Sequence, residues 1–153
     1  MPRPTIVTTE LETCTGHRLL NYVGKCANLH GHNYRWIVQV CASVPDRNKG
    51  YYLDFGDLKG LLRHELERFD HSVVLHHHDS AAPMLRVLSQ TKLVLLNVNP
   101  TAENLAQWLA DVLYKSLYDT IEWVNVELWE TSKCRVSARG DEHQTVHILE
   151  EVL

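Results

Sequence analysis

The stretch at residues 25–44, KCANLHGHNYRWIVQVCASV, decides how this chain is read. From Tyr34 onward, Tyr34, Trp36, Val38, Val40, Ala42 and Val44 alternate with Arg35, Ile37, Gln39, Cys41 and Ser43. That alternation predicts a long strand with one apolar face. At its head His30 and His32 stand two positions apart, so on a strand both imidazoles leave the same face. Two convergent imidazoles are half of a transition-metal site. Cys26, four residues before His30, adds a thiol suited to act as nucleophile or base. The stretch reads as part of a zinc enzyme.

A stable zinc site needs a third ligand from elsewhere in the chain. His17, in CTGHRLL at residues 14–20, is the best candidate. It ends a first predicted strand that begins in the Thr- and Val-rich residues 5–13, and an antiparallel neighbour would carry it beside His30 and His32. Three neutral histidines leave the ion its full charge and one open position, the catalytic arrangement. Gly31 permits close approach. Two other metal patterns fail. A cupin-like Gly24…His30-x-His32 opening lacks its glutamate, because Trp36 and Ile37 fill those places. The metallo-hydrolase pattern H-x-H-x-D-H breaks at Asn33, Tyr34 and Arg35.

Outward from this stretch, residues 45–50 form a turn cluster and residues 51–53 are expected to return as a partner strand. Asp54 opens a helix with an apolar face of Leu58, Leu61, Leu62, Leu66 and Phe69. Residues 80–90 read as a loop with a short helix, and residues 92–98 as a short strand. Thr101 caps a second long helix whose apolar face is Leu105, Trp108, Leu109, Val112, Leu113 and Leu117. Residues 123–131 alternate as another strand, and residues 145–153 read as a last strand or a tail. The sum is one α+β domain over residues 1–153, with helices on one sheet face. The opposite face or an edge would invite oligomerisation.

Composition narrows the classes. The 153 residues are 44% apolar and 22% charged, ordinary for a globular domain able to bury a continuous core. A formal charge of -4 argues against nucleic-acid or membrane-surface binding. No apolar run is long enough to span a membrane, and no secretory signal is visible. Four scattered cysteines with ten histidines suggest reduced thiols in a cytoplasm.

Three further points carry chemistry. In Asp70-His71 the carboxylate is placed to orient the imidazole. Glu130, at the end of a mostly apolar strand, is suited to accept two N–H bonds from a flat aminopyrimidine ring. Thr131 follows it. Glu127 reads as a solvated strand residue. The run His76-His77-His78-Asp79 reads as a polar loop, since consecutive side chains diverge. Cys14, Cys41 and Cys134 read as structural, having no basic partner nearby in sequence.

Taken together, GHRL at residues 16–19, C-x3-HGHNY, LDFGDLK at 53–59, FDH at 69–71, NPTAEN at 99–104 and WET at 129–131 occur in one order. That ordered set closely resembles the 6-pyruvoyltetrahydropterin synthase / 6-carboxytetrahydropterin synthase family, over residues from about 5 to 131. The three residues between Cys26 and His30 resemble the bacterial 6-carboxytetrahydropterin branch. The resemblance implies a zinc-dependent lyase that converts 7,8-dihydroneopterin triphosphate to 6-carboxytetrahydropterin, acetaldehyde and triphosphate, toward 7-deazapurines such as queuosine. It implies zinc held by His17, His30 and His32, Cys26 as general base, Asp70 and His71 as proton relay, and Glu130 with Thr131 on the pterin.

It also implies a tunnelling fold. That unit is a four-stranded antiparallel sheet with two helices on one side, closing an oligomeric barrel as trimers or hexamers. A pyruvoyl product and a non-catalytic zinc- or pterin-binding protein are the alternatives. The chain departs from the family pattern at Thr13, where an aromatic residue is common, and after Leu75. Residues 77–97 are longer than in the shortest members, and the tail after Arg139 is extra. Arg18 and Lys25 are basic and nearby, with no role assigned toward the triphosphate.

Overall fold

The computed structural model describes residues 4–42, 50–88 and 90–152. Two antiparallel strands, β1 (Thr5–His17) and β2 (His30–Ala42), form its centre, and their register pairs Thr13 with Tyr34, Thr15 with His32 and His17 with His30. The period-two pattern of β2 does what amphipathic alternation requires. Tyr34, Trp36, Val38 and Val40 are fully buried, while Arg35 faces solvent. Position 13 is a buried threonine whose Oγ1 accepts the Trp36 indole N–H at 3.0 Å. The Thr15 hydroxyl donates to the Phe69 carbonyl at 2.9 Å.

Helix α1 (Phe55–Leu66) starts at Asp54, whose carboxylate accepts from the amides of Gly56 and Asp57. Leu58, Leu62 and Leu66 turn inward, and Phe69 is buried just beyond the helix. After β3 (Ser72–His76), α2 (Ala82–Val87) and β4 (Leu93–Leu96), the longer helix α3 (Ala102–Leu117) is capped by Thr101. It buries Leu105, Trp108, Leu109 and Leu113 in the same cluster as Tyr34, Trp36 and the α1 leucines. The chain closes with β5 (Ile121–Trp129), β6 (Arg135–Arg139) and β7 (Ile148–Val152). Among the described residues no helix is long and apolar enough to cross a membrane.

The molecule is α+β, but the sheet is larger than the four antiparallel strands expected. Among the described residues it has seven strands in the order β6-β5-β2-β1-β3-β4-β7, and the β1–β3 and β3–β4 pairs are parallel. The reason is burial on both faces. Val74, Val94 and Leu96 enter the main core, while Leu75, Leu93 and Leu95 pack on the other side with Ala82 and Leu85 of α2. Strands covered twice read as continuous apolar runs without alternation, so SVVLH carried no strand signal in the sequence. The helices are therefore not confined to one face. Residues 51–53 are not a strand, because β2 already has β1 and β5 as its two neighbours. The turn cluster lies outside the described residues except Gly50. Of the two readings of the tail, the strand is realised, as β7 on the edge beside β4.

One buried group in α3 makes a testable cost. Asp111 is fully buried, its Oδ1 accepts from Gln107 and from the Asp141 amide, and its Oδ2 has no partner. Burial raises its pKa above the ordinary carboxylate value. An acid raised in the folded state carries no penalty below its unfolded pKa, and the penalty grows as pH rises from the unfolded toward the folded value and is complete above it. Asp111→Asn keeps the acceptor and removes the charge. It is expected to stabilise the fold at pH 7 by about 1 kcal/mol, with the gain fading toward about pH 4. Denaturant melts of both proteins across pH check this. A gain that does not shrink on acidification would refute it.

Candidate metal centre and cleft

The antiparallel register fixes the three histidines before any side chain is considered. His17 faces His30 across the β1–β2 ladder, and His32 is opposite Thr15 on the same face. The result is a tight group. The Nε2 atoms of His17 and His30 are 3.2 Å apart, and the His17–His32 and His30–His32 ring centroids lie 5.1 and 4.9 Å apart. Glu130, just past the end of β5, brings a carboxylate oxygen to 2.8 Å from His32 Nε2 and 3.8 Å from His17 Nε2. Ligand atoms of all four residues lie within 4.8 Å of one another.

The donor set fits a cation. His17 Nδ1 lies 2.7 Å from the Pro100 carbonyl and His30 Nδ1 lies 2.7 Å from the Asn28 carbonyl. Carbonyls only accept, so each Nδ1 carries its proton and each Nε2 is left with a lone pair. Two lone pairs directed at each other across 3.2 Å repel unless a positive centre lies between them. His32 Nε2 is likewise buried without a hydrogen bond, its close contact with Glu130 being poorly aligned for one. Burial lowers the pKa of His17, against the pull of its Pro100 bond, and His30 lowers it further. Burial also lowers that of His32, against the pull of Glu130. Neutral imidazole is the ligating form. Tyr34, buried beneath the group with its hydroxyl 3.3 Å from His17 Nδ1, has its pKa pushed far up by burial, then by Glu130, Cys26 and Glu103.

The other expected residues fall in two places. Cys26 sits on a single 3-10 turn (Lys25–Ala27), and its carbonyl accepts from the Leu19 amide at 2.9 Å. Near enough to be felt at Tyr34, it belongs to neither of the two clusters of ligand-type groups found among the described residues. Asp70 and His71 lie before β3, with Asp70 Oδ2 3.0 Å from His71 Nδ1. Burial would raise the Asp70 pKa, but the Cys14 amide, His71 and Lys92 outweigh it and hold the carboxyl below its ordinary range. His71 adopts φ 55, a left-handed backbone that costs a non-glycine residue energy. Its side chain is 79% exposed, so within one chain its imidazole stands at the surface rather than against Cys26. Thr131 Oγ1 accepts from the Lys133 and Cys134 amides and holds the turn after Glu130.

A cleft of about 670 Å³ joins these parts, lined by His32, Glu130 and Thr131 together with Cys14, Asn33 and His71. Gly16 and Gly31 pair across the ladder at its floor, and a Cβ on Gly31 would come within 3.2 Å of the Thr15 carbonyl oxygen. Cys14 corrects the sequence reading. It is exposed, and a basic neighbour, His71, arrives through the parallel β1–β3 pairing, far away in sequence. The rings of His76, His77 and His78 also pack together, with centroids 3.7–5.4 Å apart, rather than diverging. Their nitrogens are nevertheless engaged separately. His76 Nδ1 accepts the His78 amide, and His77 Nδ1 meets the Leu96 carbonyl.

Two supports of the loop between β1 and β2 had no signal in the sequence. Asn99 clamps Leu20, accepting its N–H and donating to its carbonyl. Arg18 pairs through two nitrogens with Asp79, whose side chain is fully buried. Arg18→Met would leave that carboxylate uncompensated and is expected to cost of the order of 3 kcal/mol. The double variant with Asp79→Asn is expected to recover most of the loss in urea denaturation. No recovery would mean that Arg18 acts through packing alone.

Comparison with known proteins follows the same lines. A family model described as 6-pyruvoyl tetrahydropterin synthase matches residues 6–141. The chain is 35% identical over 134 residues to 6-carboxy-5,6,7,8-tetrahydropterin synthase of Rickettsia bellii, covering 84% of this chain and 96% of that protein. The solved 6-pyruvoyl tetrahydropterin synthase of Caenorhabditis elegans superposes with a TM-score of 0.63 at 27% identity, over 92% of this chain and all of that one (100%). The Plasmodium falciparum 6-pyruvoyl tetrahydropterin synthase gives a TM-score of 0.70 at 19% identity, over 89% and 97% respectively, and shares the fold.

Proposed function

This chain belongs to the 6-pyruvoyl tetrahydropterin synthase family and is an enzyme of it, and from that premise we propose that it is a zinc-dependent 6-carboxy-5,6,7,8-tetrahydropterin synthase. The substrates are 7,8-dihydroneopterin triphosphate and one water, and the products are 6-carboxytetrahydropterin, acetaldehyde and triphosphate. The observation that carries this reading is the pair of facing Nε2 atoms of His17 and His30, 3.2 Å apart beside the orphaned His32 Nε2. The spacing of Cys26 from His30 and the name of the Rickettsia relative both favour the carboxy product over the pyruvoyl one.

Zinc held by His17, His30 and His32 would polarise the side-chain oxygens of the substrate and acidify the neighbouring C–H bonds. The rest falls to the protein. Cys26, as thiolate, removes a side-chain proton. Asp70 orients His71, which carries protons to and from the same side chain. Glu130 accepts two N–H bonds from the pterin ring, and the Thr131 hydroxyl still has its own proton to donate. The product would feed 7-deazapurine synthesis, such as that of queuosine, in a reducing cytoplasm. Mass analysis of the products from dihydroneopterin triphosphate tests the reading. A pyruvoyl product would favour simple triphosphate elimination, and an unchanged substrate a non-catalytic pterin- or zinc-binding role.

Among the described residues of one chain Cys26 does not join Asp70 and His71, and the sheet ends in two unpaired edges, β6 and β7. Both features support an oligomer, a trimer or hexamer, in which the site is completed across a subunit boundary. Cys26→Ala and His71→Ala proteins, each inactive, are then expected to regain turnover when dissociated and reassembled together. Random mixing in equal amounts would restore about a quarter of the sites. No regain, with mixed oligomers verified by mass, would place both residues in one subunit's site.

A further inference from the structure

We propose that Cys14, Asp70 and His71 form a second transition-metal site, distinct from the three-histidine group and opening into the same cleft. Their ligand atoms, a thiol sulfur, a carboxylate oxygen and a ring nitrogen, lie within 4.8 Å of one another. The side-chain amide oxygen of Asn33, the cross-strand partner of Cys14, is 3.3 Å from the same sulfur and adds a fourth donor. Sulfur with imidazole and carboxylate selects zinc or cobalt over calcium or magnesium, which take oxygen ligands.

The backbone holds this cluster in place. The Cys14 amide donates to Asp70 Oδ1 at 2.9 Å, and the His71 amide donates to the Cys14 carbonyl at 2.7 Å. One residue further on, Thr15 pairs with Ser72 in the parallel ladder. These bonds tie the end of β1 to the turn before β3, so the three side chains meet without ordering a loop. His71 is held in its left-handed conformation by the same contacts.

Side-chain alternation separates the two sites. Thr13, Thr15 and His17 of β1 face Tyr34, His32 and His30 of β2 on the buried side of the sheet. Cys14 and Asn33 occupy the positions between them and leave the opposite side. Yet Cys14, His71, His32 and Glu130 all line one cleft, which the Gly16–Gly31 pair leaves unobstructed. An ion at the second site would engage both members of the Asp70–His71 pair. Given the reading of that pair as the proton relay, it would hold the relay and slow turnover, so the protein would respond to zinc in excess of its catalytic ion.

Titration of metal-free protein with cobalt(II) tests the site without reference to any reaction. Two equivalents per chain are expected, with a sulfur-to-cobalt charge-transfer band in the near ultraviolet. Cys14→Ser should abolish the band and weaken the second equivalent at least tenfold, and His71→Ala should weaken it likewise. Cys26→Ser should retain both equivalents and the band. A single equivalent in the unaltered protein, or a band that survives Cys14→Ser and disappears in Cys26→Ser, would overturn the proposal. In turnover assays, zinc beyond one equivalent is expected to inhibit the unaltered protein and to spare Cys14→Ser. Equal inhibition of both would overturn the regulatory consequence, while the cobalt count stands or fails whether or not the pterin is the substrate.

Discussion

Cys26→Ala is expected to retain its zinc and to lose about 10²–10⁴-fold in turnover of dihydroneopterin triphosphate, the usual contribution of a positioned general base. Retention follows from where the ligands sit. His17, His30 and His32 belong to the β1–β2 ladder, whereas Cys26 belongs to a 3-10 turn outside it and contacts Leu19 through its carbonyl. An alanine keeps that backbone bond and removes only the sulfur. Metal analysis beside a turnover assay separates the two roles. Unchanged turnover would remove the thiol from the mechanism, and lost zinc would make it a ligand.

His30→Ala should act through the metal. It removes the imidazole whose Nε2 faces that of His17 and leaves two histidines with Glu130, so zinc affinity is expected to fall by well over 10²-fold, beyond what loss of an outer-shell partner costs. Turnover should fall with it and recover in part at high zinc. Equal zinc in variant and parent would refute the assignment. The pH dependence has a defined sign. Protons compete for imidazole, so affinity falls as pH falls. Burial holds His17 and His32 below the ordinary histidine value, so zinc should persist while an exposed histidine would already be charged. Metal content after dialysis at stepped pH reads this directly. Loss of zinc at or above pH 6.5, the ordinary histidine pKa, would count against the lowered pKa values of His17 and His32.

What could be read from the residues alone followed from local rules. β2 was legible because one of its faces is wet and the other dry. The starts of α1 and α3 were legible because Asp54 and Thr101 satisfy amides within the next three residues. β3 was not legible, because both its faces are dry and nothing in SVVLH distinguishes it from a buried helix turn. Residues 92–98, which hold β4, were legible as a strand, but its parallel link through β3 to β1 was not, since β1 and β3 pair through residues more than fifty positions apart.

The candidate site divides along the same line. Residue spacing alone established that two imidazoles share a strand face, that a thiol stands just upstream, and that helices begin where their caps lie, because each depends on positions a few residues apart. Tertiary packing settled which carbonyls fix the ring tautomers of His17 and His30, that Glu130 reaches the histidines, that Arg18 pairs with the buried Asp79 carboxylate, and that Cys14 meets His71. Those contacts are made between segments whose separation along the chain carries no periodic signal, and it is the packing of β3 beside β1 that brings the last pair into reach.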